Sequence, residues 1–228
     1  MKRILNYFSV GELCLWGCSA LAILCSFFFF GQTGYLSLIG SLVGITSLIF
    51  CAKGNPLGMA LGIVFCVIYS IISYSYAYYG EMITYLGMTM PMSALSLIAW
   101  LRHPHKENHA QVKVGEVRGW EYLLLAVLAT GVTVGFYFIL REFGTANLIP
   151  SSISVATSFT AVYLCFRRSP YYALCYGVND IVLIVLWSLA ARDDLSYLSV
   201  VICFAAFLAS DVYAYRNWQK MKKKQSEE

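Results

Sequence analysis

The chain has 228 residues, 59% of them hydrophobic and 12% charged, with a formal net charge of +4. That balance excludes an ordinary soluble domain and a disordered chain. No soluble module carries a basic face with interleaved aromatics, so nucleic acid is excluded as a partner and the lipid bilayer is the expected surrounding.

Eight apolar stretches follow one another at about 12–30, 35–52, 57–79, 82–101, 120–140, 151–166, 171–190 and 194–213, each read as a membrane span. The first, preceded by Lys2 and Arg3, imitates a secretory signal. It is too long for one, lacks a small-x-small cleavage site and runs into further spans. Of the 16 Lys and Arg, 14 fall in the two tails and the even-numbered gaps; only Arg141 and Arg192 fall in the others. Lys and Arg stay on the cytoplasmic side during insertion, so this bias predicts a multi-pass plasma-membrane protein with both ends in the cytoplasm. The eight Cys are scattered without a C-x-x-C pair and read as small packing residues.

An internal repeat lies beneath the hydropathy. Asn55-Pro56 and Ser169-Pro170 each open a long span, followed by an acidic outer turn, Gly80-Glu81 or Asp193-Asp194. A Tyr-Leu pair comes next (85–86 and 197–198), and each unit ends in an aromatic belt before Arg102 or Arg216. The offset is 170 − 56 = 114 at the prolines and 216 − 102 = 114 at the arginines, but 197 − 85 = 112 at the tyrosines. Four spans separate the copies, so they share one orientation. The expected fold is an all-α integral membrane protein of eight transmembrane helices, with one extra N-terminal helix and a 3+1+3 parallel-repeat bundle. The units are residues 1–34 (extra helix), 35–103 (first repeat), 104–145 (cytoplasmic loop and linker helix), 146–218 (second repeat) and 219–228 (basic cytoplasmic tail). Such repeats place a substrate site between the halves near the midplane. Gly54, Gly58 and Gly62, and again Gly131 and Gly135, form ridges suited to close helix packing. Pro91 interrupts the fourth span, freeing a carbonyl that a neighbour or a cavity has to satisfy.

Polar groups at membrane depth are costly and point to function. Asn179 and Asp180 fall near the middle of the seventh span, where Asp180 is the one ionisable group at that depth. Trp187 lies two turns along the Asn179 face. Carrying that face back by 114 gives Phe65, Tyr69 and Ser73, with Tyr76 a turn beyond. Rings with amide and phenol groups suit a flat, neutral-to-cationic heterocycle bearing hydroxyls. Asp180 could instead cap a polar network to Ser154, Thr157, Ser158 and Thr160 of the sixth span. Asp211, near the inner end of the last span, fits a snorkelling or Arg-paired role as well as a functional one. His103, His105 and His109 share a loop with Pro104, Lys106 and Glu107 and read as solvated; no metal and no cofactor is expected. No nucleophile and base share a depth, and no hydrolase or P-loop motif occurs, which argues against an enzyme.

Tyr79-Gly-Glu-Met-Ile-Thr-Tyr85 with Trp100 resembles the Y-G-D/E-M…W stretch of the PnuC family of nicotinamide riboside transporters. Asn179-Asp180 and Asp211-x-Tyr213-Ala214-Tyr215-x-Asn217-Trp218 are similar to that family's second-repeat signatures. The likeness spans roughly 35 to 218 and implies a SWEET-like fold. It further implies facilitated diffusion of a vitamin precursor, trapped inside by a separate kinase. Departures are local. Tyr172 and Cys175 stand where the family has W-x-x-W, Phe65 where it has Asn, Tyr85 where it has Gln, and Ser93 and Asp211 where it has Asn. The expected substrate-binding residues are Phe65, Tyr69, Tyr76, Tyr85, Thr89 and Ser93 on one wall, with Tyr172, Tyr176, Asn179, Asp180, Trp187 and Asp211 on the other. Nicotinamide riboside is the first substrate implied, and homo-oligomerisation is compatible with the reading. A same-fold carrier of thiamine or riboflavin, or a membrane-embedded enzyme or sensor, stands as the alternative.

Overall fold

The computed structural model describes residues 7–30, 34–75, 79–145, 147–192 and 194–228. Among them eight helices are long and apolar enough to cross a membrane. We number them α1 (Val10–Phe30), α2 (Tyr35–Ala52), α3 (Pro56–Ser75), α4 (Tyr79–Arg102), α5 (Gly119–Glu142), α6 (Leu148–Phe166), α7 (Tyr171–Ala190) and α8 (Leu198–Glu227). Lys2, Arg3, Tyr76 and Asp193, on which parts of the sequence reading rest, lie outside the described residues. The helices match the expected spans, with one extension. No Gly or Pro interrupts residues 198–227, so α8 continues through the basic tail. Its end packs on the loop after α4, where Gln225 donates to the Val112 carbonyl at 3.2 Å and accepts from Val114 N–H at 2.8 Å.

Six helices form a ring. In the first repeat α2 packs on α3 and α3 on α4; in the second α6 packs on α7 and α7 on α8. Contacts of α4 with α6 and of α8 with α2 close the circle. Outside it, α1 leans on α8 and α2, and α5 leans mainly on α6. One buried carboxylate ties on each outer helix. Glu12 of α1 takes the Lys53 ammonium at 2.9 Å and the Tyr213 hydroxyl at 2.8 Å, while Glu121 of α5 takes the Arg167 guanidinium at 2.6 Å.

Matching hydrogen bonds express the repeat. The Phe50 and Cys51 carbonyls close α2 by accepting from Asn55 and Gly54 N–H; 114 residues on, Leu164 and Cys165 close α6 by accepting from Ser169 and Arg168. The turn residue is left-handed in both, Gly54 at φ 68° and Arg168 at φ 58°. Then Trp100 donates its indole N–H to the Cys165 carbonyl at 3.0 Å, and Trp218 donates to the Cys51 carbonyl at 2.9 Å. Each tryptophan thus caps the first helix of the other repeat. The acceptors differ by 165 − 51 = 114 and the donors by 218 − 100 = 118, so the last helices run four residues further out of step than the first.

Glycine packing is uneven. A Cβ on Gly58 would strike the Cys51 backbone, so the α2–α3 hairpin depends on that glycine. Around Gly131 and Gly135 nothing lies within 4 Å, so their ridge is not a packing face within the chain.

Candidate functional site between the repeats

A cavity of about 100 Å³ lies at the centre of the ring, and every ring helix lines it. From the first repeat come Ser47 and Cys51 on α2, Phe65 and Cys66 on α3, and Tyr85, Thr89 and Ser93 on α4. The second contributes Ser158 on α6, Tyr172, Tyr176, Asn179 and Asp180 on α7, and Phe204, Phe207 and Asp211 on α8. Neither outer helix reaches it. No Lys, Arg or His is among the described residues that line it.

The first-repeat wall owes its shape to Pro91. With no N–H at that position the ladder slips, and residues Tyr85–Thr89 form a π-helical turn. The Met90 N–H reaches back to the Tyr85 carbonyl, and the Thr89 hydroxyl donates to the Thr84 carbonyl at 3.3 Å. Tyr85, Thr89 and Ser93, four residues apart, then share the cavity face.

On the opposite wall α6 fixes Asn179. Its Oδ1 accepts from Ser154 at 3.2 Å, Thr157 at 2.8 Å and Ser158 at 3.0 Å. The hydroxyl network that the sequence offered to Asp180 therefore serves Asn179. Saturating the carbonyl oxygen leaves the amide hydrogens of Nδ2 as what Asn179 presents to the cavity. Asp180 shares the cavity with Asp211 of α8, and a Cβ on Gly177, one turn before Asp180, would lie 3.9 Å from the Asp211 Cβ. Both are buried. Asp211 is thus neither a snorkelling group nor Arg-paired, and Asp180 is not alone at depth. Glu81 lies inside a helix rather than in an outer turn: α4 begins two residues before it, and the side chain is buried, with no hydrogen-bond partner for Oε2 among the described residues.

Aromatic layers close both ends. Toward the chain termini Trp218 packs tilted on Trp100 at 5.3 Å and edge-on against Tyr172 at 5.0 Å between ring centroids, and the Tyr172 hydroxyl donates to the Cys51 carbonyl at 3.2 Å. At the far end Tyr69 meets Tyr85 at 4.4 Å, and Trp187 donates its indole N–H to the Tyr69 hydroxyl at 3.1 Å while packing on Tyr197 at 5.5 Å. Of the residues expected to bind substrate, the structure brings Phe65, Tyr85, Thr89, Ser93, Tyr172, Tyr176, Asn179, Asp180 and Asp211 to the cavity. Tyr69 and Trp187 sit one layer out, in the far aromatic plug, because their faces turn away along α3 and α7. Tyr76 lies outside the described residues. As cavity residues, Ser47, Cys51, Cys66, Phe204 and Phe207 escaped the sequence reading, which named Ser158 only as a network partner for Asp180. The repeat held a signal for two of them: Cys66 precedes Asp180 by 180 − 66 = 114, and Phe207 follows Thr89 by 207 − 89 = 118.

Comparison with known proteins places this architecture. The family model of nicotinamide mononucleotide transporters matches residues 34–220. Nicotinamide riboside transporter PnuC of Neisseria mucosa is 27% identical over 220 residues, covering 93% of this chain and 82% of that one. Its counterpart in Haemophilus influenzae is 24% identical over 211 residues, covering 90% and 89%. A solved crystal structure of the vitamin B3 transporter PnuC superposes with a TM-score of 0.82 at 22% identity, over 96% of this chain and 94% of that one, and shows the same fold. With six ring helices around one cavity and a family match across both repeats, the chain belongs to the nicotinamide mononucleotide transporter family, that of the PnuC proteins, and is a membrane transporter rather than an enzyme.

Proposed function

We propose that this protein carries nicotinamide riboside into the cell across the plasma membrane, by alternating access of the two three-helix units. Both chain ends lie in the cytoplasm in this reading, following the Lys and Arg bias. Phe65, Tyr85, Thr89, Ser93, Tyr172, Tyr176, Asn179, Asp180 and Asp211 form the substrate wall. Tyr69 and Trp187 belong to the outer barrier, and Trp100 and Trp218 to the inner one.

The observation that carries the reading is a midplane cavity rich in rings, with an amide donor and two carboxyls, and with no cation among its described lining residues. Rings suit the base, and hydroxyls and carboxyls suit the ribose. A phosphate would face two carboxyls with nothing to neutralise it, which favours the riboside over the mononucleotide. The same chemistry explains retention: once a separate kinase adds phosphate inside, the product no longer fits. Movement is then downhill, and accumulation is left to phosphorylation.

The test is binding to the purified full chain of nicotinamide riboside, nicotinamide mononucleotide, thiamine and riboflavin. Nicotinamide riboside should bind best and the mononucleotide at least about tenfold more weakly, as like-charge contact costs several kcal/mol. Tighter binding of thiamine or riboflavin would replace the riboside with that vitamin.

A further inference from the structure

Asp180 and Asp211 form a pair that the ring does not require. Their repeat counterparts are Cys66, 114 residues before Asp180, and Ser93, 118 before Asp211, so the symmetric frame is built equally well around a thiol and a hydroxyl. Asp180 is 4% exposed and Asp211 2%, and both line the cavity. Two carboxyls buried in a desolvated cavity carry charge at a high cost that an entering cation offsets. No counter-ion for either carboxyl stands among the described residues that line the cavity. The nearby cations are committed elsewhere, Lys53 to Glu12 and Arg167 to Glu121. In addition, Asp180 Oδ2 has no hydrogen-bond donor among the described residues, which in a desolvated site is the mark of a group awaiting a partner. Tyr85, Tyr176 and Phe207 line the same cavity, and aromatic rings attract a cation.

We propose that Asp180 and Asp211 act as a charge sensor, selecting ligands that carry a fixed positive charge over neutral ligands of the same shape. The proposal rests on the riboside reading above and sharpens it, because the pyridinium ring of nicotinamide riboside carries such a charge. Reducing that ring to the dihydropyridine removes the charge and keeps the skeleton.

The experiment compares the two forms on the purified full chain and on the double variant Asp180→Asn/Asp211→Asn, which keeps the shape and removes both carboxyls. The parent should prefer the charged form by about tenfold or more. The double variant should lose most of that preference, the charged form weakening about tenfold or more beyond any loss shared with the dihydro form, while thermal unfolding reports that it folds. Equal binding of both forms by the parent would overturn the proposal, as would a preference that survives both substitutions. Replacing sodium by N-methylglucamine should leave the preference unchanged; binding that depended on sodium would make the pair a metal-ion site and overturn it equally. If the parent bound neither form, the riboside reading would fall by itself. The sensor would then be judged on thiamine against its neutral deaza isostere, where a tenfold preference supports it and equal binding refutes it.

Discussion

Trp100 and Trp218 hold matching places in the two repeats, and each reaches across to cap the first helix of the other. One to two turns away the likeness ends. The first repeat offers the cavity Phe65, Cys66 and Ser93, whereas the second offers Asn179, Asp180 and Asp211 at the corresponding positions. The frame is kept symmetric because backbone groups at helix ends need partners in both copies. The cavity walls are free of that demand, since side chains can be exchanged without unpairing the backbone. One repeat therefore presents an aromatic and hydroxyl wall and the other the amide and the acids. A duplicated frame supplies two rigid halves, and only their unlike walls give a small asymmetric ligand a single orientation.

The largest expected effect is all-or-none and tests whether the repeats run parallel. With native thiols removed, Asn108→Cys and Gln225→Cys should react with an impermeant reagent only from the cytoplasmic side, and Gly144→Cys only from outside. Labelling of residue 108 from the exterior would break the parallel arrangement. Next in size is the shared cap. Trp100→Ala and Trp218→Ala should each lower stability in detergent by about 3–5 kcal/mol, as both empty a fully buried site and remove a buried hydrogen bond between the repeats. Thermal unfolding should show the two losses to be similar; a loss in only one would end the symmetry claim.

A smaller effect belongs to the unlike walls. Asn179→Ala removes the amide that α6 holds in place and should weaken riboside binding by about 1–3 kcal/mol, about tenfold or more. Titration calorimetry on a normally folded variant that binds like the parent would remove Asn179 from the site. Smallest of all is Trp16→Ala on α1, outside both repeats. Its indole N–H donates to the Thr46 hydroxyl at 3.1 Å on a part-exposed surface. Affinity should change by less than about 0.5 kcal/mol.

The sequence by itself determined the eight helices, their family and the duplicated frame. Those features are written locally: an apolar run makes a span, Pro and Gly mark its ends, and one fixed offset relates Pro56 to Pro170 and Gly54 to Arg168. Which residues face the cavity was only partly legible. Asn179 and Asp180 could be picked out from their depth and Tyr172 from the family resemblance, but Trp187, on the Asn179 stripe, packs into the far plug instead. A helix that is apolar all round carries no periodic signal of its inward face, because lipid and neighbouring helices are equally acceptable to Leu or Phe. Asp211 shows the same limit. Nothing along α8 announces that its carboxyl shares the cavity with Asp180, since that depends on the rotation of α8 against α7. Likewise the hydroxyls of Ser154, Thr157 and Ser158 had two polar neighbours to choose from, and only the packing of α6 on α7 gave them to Asn179. Hydropathy and charge act on each segment separately, so they can be read in one dimension, whereas the partner of a buried polar group is fixed only when the helices close around the cavity.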